Sequence, residues 1–108
     1  MAVPEITVDE LASRLVAGAF LLDVRQPDEY VEAHVPGARL VPLAEVPAHV
    51  DEFPSADPIF VICRTGARSE RAAEYLIGQH GLDAANVVGG TLAWIDGGRD
   101  IVVGPERT

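Results

Sequence analysis

One cysteine occurs in 108 residues, and it stands in the run Cys63-Arg64-Thr65-Gly66-Ala67-Arg68-Ser69. A thiol acts as a nucleophile in its thiolate form. A free thiol titrates near ~8.5, and at a helix N-terminus beside cationic side chains the value falls to roughly 3.5–7.5. Arg64 and Arg68 are the residue type that holds an anion, and Gly66 lets the backbone curl without the penalty of a Cβ. Ser69 has the type of a helix N-cap. The pattern is a nucleophile, Cys63, in an anion cradle formed by Arg64, Thr65, Gly66, Ala67 and Arg68. On position alone Cys63 reads equally well as a buried small hydrophobe at a strand end, since free cysteine is among the most buried residue types. The two arginines, Thr65 and Gly66 separate the readings, because a purely structural cysteine requires none of them.

Such a cradle needs a strand delivering the cysteine and a helix leaving the loop, so that backbone N–H groups converge and the helix N-terminus adds positive potential. The flanking sequence supplies both. Ile59-Phe60-Val61-Ile62 is apolar throughout, as a central strand buried on both faces must be. After the loop, Ala72, Ala73, Leu76 and Ile77 recur at helical spacing, with the helix starting at Ser69. Upstream, Thr7 to Glu10 has a capping-box pattern opening a first helix that Gly18 ends. Phe20 to Val24 reads as a strand handing over at Pro27 to a short helix, Arg39 to Pro42 as a brief strand, and Pro47 to Phe53 as a short helix. Downstream, Asn86 to Val88 is a strand, Gly89-Gly90 a break, and Thr91 to Ile95 a short helix. Strands alternating with helices predict an α/β fold with a parallel sheet.

The length and apolar content predict one domain over residues 1–108. A lone cysteine cannot close an intrachain disulfide, and no run is apolar enough to span a membrane or to act as a secretory signal. A soluble cytoplasmic protein that does not engage a membrane is therefore expected. The formal charge of −9, with no lysine and eight arginines, argues against nucleic-acid binding. Two of those arginines nonetheless fall in the acid-free Cys63–Arg68 loop, where a local anion site can form.

Asp23 and Arg25 lie at a strand end and read as structural support, with Arg25 spaced to pair with Glu29 or Glu32 and Asp23 to bond loop amides. His49 and His80 have no second ligand type nearby, so no metal site is expected, and no cofactor is called for.

Cys63 to Ser69 resembles the active-site loop of single-domain rhodaneses, and two further segments match in order. Leu22-Asp23-Val24-Arg25, with Glu29-Tyr30 and His34-Val35-Pro36-Gly37-Ala38, is similar to the family's amino-terminal signature. Val88-Gly89-Gly90 with Trp94 is similar to its carboxy-terminal one. Ala33 departs from the glycine often found before the histidine. The resemblance implies a rhodanese-like α/β fold, a central parallel five-stranded sheet flanked by helices on both faces. It implies that Cys63 attacks the outer sulfur of thiosulfate or a similar anionic donor, releases sulfite, and carries the sulfur as a persulfide to a thiol, cyanide or a sulfur-carrier protein. It places His34 in a turn that supports the fold, Trp94 in the core, and Gly89-Gly90 at a tight backbone approach bordering the pocket.

The enzymatic rival is a cysteine-based phosphatase or arsenate reductase, whose loops carry five residues between cysteine and arginine. Cys63 and Arg68 have four between them, a tighter ring suited to one sulfur atom. A rival of another class is a non-catalytic regulatory rhodanese-like binding domain, which typically lacks the cysteine retained here.

Overall fold

The computed structural model describes residues 2–108. Thr7 opens α1 (Val8–Val16) by a reciprocal cap: its Oγ1 accepts from the Glu10 N–H at 3.1 Å, and the Glu10 carboxylate accepts from the Thr7 N–H at 3.1 Å. A short strand, β1 (Glu5–Ile6), precedes it. β2 (Phe20–Asp23) hands over to α2 (Pro27–Glu32), with Pro27 in the first turn, where its missing N–H costs nothing. Then come β3 (Arg39–Leu40), α3 (Val46–His49), β4 (Ile59–Ile62), α4 (Ala67–His80), β5 (Ala84–Val87) and α5 (Gly90–Asp96).

The five strands form one parallel sheet in the order β1-β5-β4-β2-β3, with β4 in the middle and all four of its residues buried. Alternation along the strands divides the core between the two faces. On one face Leu22, Ile59 and Val61 pack against α3 and α4 through Val46, Ala72 and Leu76. On the other, Leu21, Phe60 and Ile62 pack against α1, α2 and α5 through Leu11, Tyr30 and Trp94. This is the α/β sheet with both faces covered that the sequence predicts.

Besides shifts of one or two residues at the ends of β2, β3, β5 and α5, three elements differ from expectation. β1 has two residues, too few to show alternation, and exists because β5 offers it an edge. The helix expected over Pro47 to Phe53 is one α turn, α3, between 3₁₀ turns at Leu43–Glu45 and Val50–Glu52. A helix that short gains little from cooperative propagation, so its ends tighten. Finally, α4 begins at Ala67 rather than at Ser69, and Gly66 takes the N-cap with φ +123°, a region that favours glycine. Ser69 thus lies inside the first turn and does not cap it.

Candidate active site

Cys63 follows β4 directly. The strand alternation that points Val61 toward α4 points Cys63 the same way, beneath the first turn of that helix. Parallel register sets Asn86 of β5 beside Val61, on the same face. These three elements converge on the sulfur. The Gly66 N–H donates to Cys63 Sγ at 3.1 Å, and the Ser69 hydroxyl lies 3.2 Å from it. Ser69 Oγ also reaches Asn86 Oδ1 at 2.5 Å, while Asn86 Nδ2 donates to the Gly66 carbonyl at 3.1 Å. Ser69 and Asn86 are buried polar residues whose side chains serve the loop.

The other side of the loop is held by α5. The Thr91 N–H and hydroxyl both donate to the Cys63 carbonyl, at 2.9 and 3.1 Å, and the Leu92 N–H donates to the Arg64 carbonyl at 3.2 Å. The approach requires glycine at position 90. A Cβ there would lie 2.5 Å from the Arg64 oxygen and 2.6 Å from the Cys63 oxygen. Gly90 is thus the tight approach expected of the Gly89-Gly90 pair.

The loop arginines have different surroundings. Arg68 forms a two-pronged ion pair with Glu29 of α2, Nη1 to Oε1 at 2.7 Å and Nη2 to Oε2 at 2.9 Å. The bond from Arg68 holds the Glu29 carboxyl at about 2, well below its usual range. Arg64 is exposed, and among the described residues its guanidinium has no hydrogen bond or ion pair. It lines a cleft beside the loop with Thr91, Leu92, Ile95, Arg25 and Glu29. Thr65 is also exposed, and Ala67 is the first residue of α4. Arg25 does not pair with the carboxylates of Glu29 or Glu32. It is turned inward onto Asp23, at 2.8 Å, and onto the carbonyls of Glu29 and Ala33, because both members of that pair are buried and satisfy each other. Asp23 also accepts from the Arg25 N–H at 3.0 Å.

Burial pushes the Cys63 thiol up, yet the Ser69 hydroxyl and the backbone N–H groups of Ser69, Gly66 and Thr65 outweigh it and leave the thiol below its ordinary value. Cys63 is 1 % exposed, as a buried hydrophobe would be. A hydrophobe, however, gives no reason for donors to converge on its sulfur. Sequence reasoning missed Asn86 and Thr91 and assigned Ser69 to capping. The available signal was a polar Asn in the middle of the buried strand Ala84-Ala85-Asn86-Val87. No group of three His, Cys, Asp or Glu residues able to hold a metal occurs among the described residues, and no helix there is long and apolar enough to cross a membrane.

The chain is 35 % identical over 106 residues to a sulfurtransferase of Allochromatium vinosum, covering 96 % of this chain and 98 % of that one. It is 37 % identical over 95 residues to YrkF of Bacillus subtilis, covering 86 % of this chain and 51 % of the relative, so it spans about half of that protein. Among solved structures, a rhodanese-like domain protein from Staphylococcus aureus superposes with a TM-score of 0.78 at 34 % identity, over 84 % of this chain and 90 % of the other. A thiosulfate sulfurtransferase from Pseudomonas aeruginosa gives 0.86 at 29 % identity, over 97 % of this chain and 21 % of that one. Residues 7–96 match the rhodanese-like domain family, and with the five-stranded sheet and the Cys63 loop in place, the chain belongs to that family.

Proposed function

We propose that the protein is a sulfurtransferase that takes a sulfane sulfur from thiosulfate or a similar anionic donor onto Cys63 and passes it to a thiol, cyanide or a sulfur-carrier protein. The observation that carries this reading is the sulfur of Cys63 seated among the Gly66 N–H, the Ser69 hydroxyl and the first turn of α4. The thiolate attacks the outer sulfur of thiosulfate. A bond forms between Sγ and that sulfur, the donor's S–S bond breaks, and sulfite leaves with the electron pair. The charge then rests on the outer sulfur of a persulfide, where amides of the Arg64–Ala67 loop can meet it. The acceptor attacks the outer sulfur, and Sγ leaves as the thiolate, restoring the starting state. Arg64, exposed beside the cleft and free of a carboxylate partner, is the side chain best placed to draw in the anionic donor.

The test is intact mass after incubation with thiosulfate. Native protein should gain one sulfur atom and lose it on reduction, and Cys63→Ser should gain none while keeping its fold. Hydrolysis of a small aryl phosphate by native protein, without sulfur uptake, would overturn the reading in favour of phosphatase chemistry.

A further inference from the structure

Ser69 Oγ has one proton and two acceptors in reach, Cys63 Sγ at 3.2 Å and Asn86 Oδ1 at 2.5 Å. The Asn86 amide is oriented by its other end: Nδ2 donates to the Gly66 carbonyl, so Oδ1 must face Ser69. All three side chains are buried, which keeps water from substituting for either acceptor. The hydroxyl therefore turns to Sγ when the sulfur carries a full negative charge and to Asn86 when it does not.

We propose that Asn86 is a positioning residue whose Oδ1 accepts the Ser69 O–H while Cys63 carries sulfur, and that the Ser69 O–H swings to donate to Sγ as the persulfide is discharged, its proton staying on Ser69 throughout. This rests on the sulfur-transfer reading above. In charging, Sγ begins as the anion and loses charge as its bond to the incoming sulfur forms. A donor on Sγ therefore stabilises the starting state and gives no help to the chemical step. In discharge the acceptor bonds the outer sulfur, the S–S bond breaks, and Sγ leaves with the electron pair, so negative charge grows where the Ser69 hydroxyl can meet it. Asn86 Oδ1 accepts the Ser69 hydrogen bond in the interval and releases it without a change of backbone. The Ser69 hydroxyl is also the largest of the influences that favour the thiolate.

The experiment separates the half-reactions in native protein, Ser69→Ala, Asn86→Asp and Asn86→Leu. Charging is followed by sulfite release in a single turnover with thiosulfate, above the pH at which the thiol titrates. Discharge is followed by mixing the isolated persulfide with cyanide. Cys63 alkylation against pH is measured in parallel. Ser69→Ala should slow discharge about tenfold or more while charging changes less than about twofold, tenfold corresponding to ~1.4 kcal/mol. Asn86→Asp, whose carboxylate accepts the Ser69 O–H more strongly, should show the same split and a raised alkylation midpoint. Asn86→Leu leaves Sγ as the one acceptor for Ser69, and the Gly66 carbonyl still accepts from the Glu70 N–H. It should not raise the midpoint. Equal slowing of both half-reactions, or a raised midpoint in Asn86→Leu as well as Asn86→Asp, would show that the pair only holds the loop and would overturn the proposal. If native protein takes up no sulfur from any donor, the sulfur-transfer reading fails instead. The positioning role of Asn86 is then decided by alkylation alone, and equal midpoints in native and Asn86→Asp protein reject it. Should Asn86→Asp fail to fold, Ser69→Ala against Asn86→Leu gives the same decision.

Discussion

At Cys63, burial and hydrogen bonding act in opposite directions on one thiol, and hydrogen bonding wins. The rate of alkylation should therefore show a midpoint below the ~8.5 of a free thiol. A midpoint at or above that value would mean the Gly66 and Ser69 donors do not meet the sulfur. The two loop arginines should not behave alike. Arg64→Ala should weaken use of thiosulfate more than use of a neutral persulfide donor, since among the described residues its guanidinium has no carboxylate to answer to. Arg68→Ala removes the partner of Glu29 and leaves a bare carboxylate near the site, so it should cost more, and adding Glu29→Gln should restore part of the loss. The same pair gives an acid signature. Glu29 is held at about 2 rather than 4.5, so its contribution to stability is complete above 4.5 and is lost as the pH falls through about 2. Denaturant titrations across that window should show a shallower loss of stability in Glu29→Gln than in native protein. Matching slopes would mean the ion pair is not formed in solution.

Among the elements, α5 does for the loop what a side chain could not: it brings two N–H groups and a hydroxyl against the carbonyls of Cys63 and Arg64 at backbone distance. Gly90→Ala puts a Cβ into that contact at a φ of +61° and should destabilise the protein by about 2 kcal/mol or more. Thermal unfolding and single-turnover charging should both suffer; a variant with native stability and charging would show that α5 can back away without consequence. How much of this the sequence carries depends on whether a signal is local. β4 and α4 are legible because four consecutive apolar residues and a helical repeat are read within the segment itself. The Thr7 cap is legible for the same reason. The start of α4 is not legible, since Ser69 has the type of a cap and only the tertiary partners Cys63 and Asn86 reveal its use. Arg25 and Arg68 divide between Asp23 and Glu29 according to which one is buried, and residue spacing does not contain that information.

Over the whole molecule, the segment after α5 closes a circuit that the 7–96 family match does not include. Val102 and His34 exchange backbone hydrogen bonds, each at 2.9 Å; the Gly104 N–H donates to the Val31 carbonyl at 2.8 Å; and the Gly37 N–H donates to the Arg107 carbonyl at 2.7 Å. Buried His34, stacked on Tyr30, lies with one ring nitrogen 2.7 Å from the Tyr30 carbonyl and the other 2.7 Å from the Glu106 carbonyl. The histidine that the resemblance placed in a supporting turn thus ties α2 to the tail. Truncation after Asp100 would strip one ring nitrogen and several backbone groups of their partners, at about 1–3 kcal/mol for each one left buried. Water reaches some of the groups so uncovered, which keeps the expected total to a few kcal/mol. At ~4–8 °C per kcal/mol for a domain near this size, the melting temperature should fall by roughly 10–20 °C. Charging of Cys63 well below that temperature should survive, because the donors to the sulfur come from the loop and α4, braced by Asn86 of β5, and among the described residues no hydrogen bond joins the tail to any of these. Intact mass after thiosulfate, measured beside a thermal melt of the same sample, distinguishes the outcomes. A folded truncated protein that takes up no sulfur would mean the tail acts on the site itself, through α2 and the grip of Glu29 on Arg68, rather than on the stability of the fold.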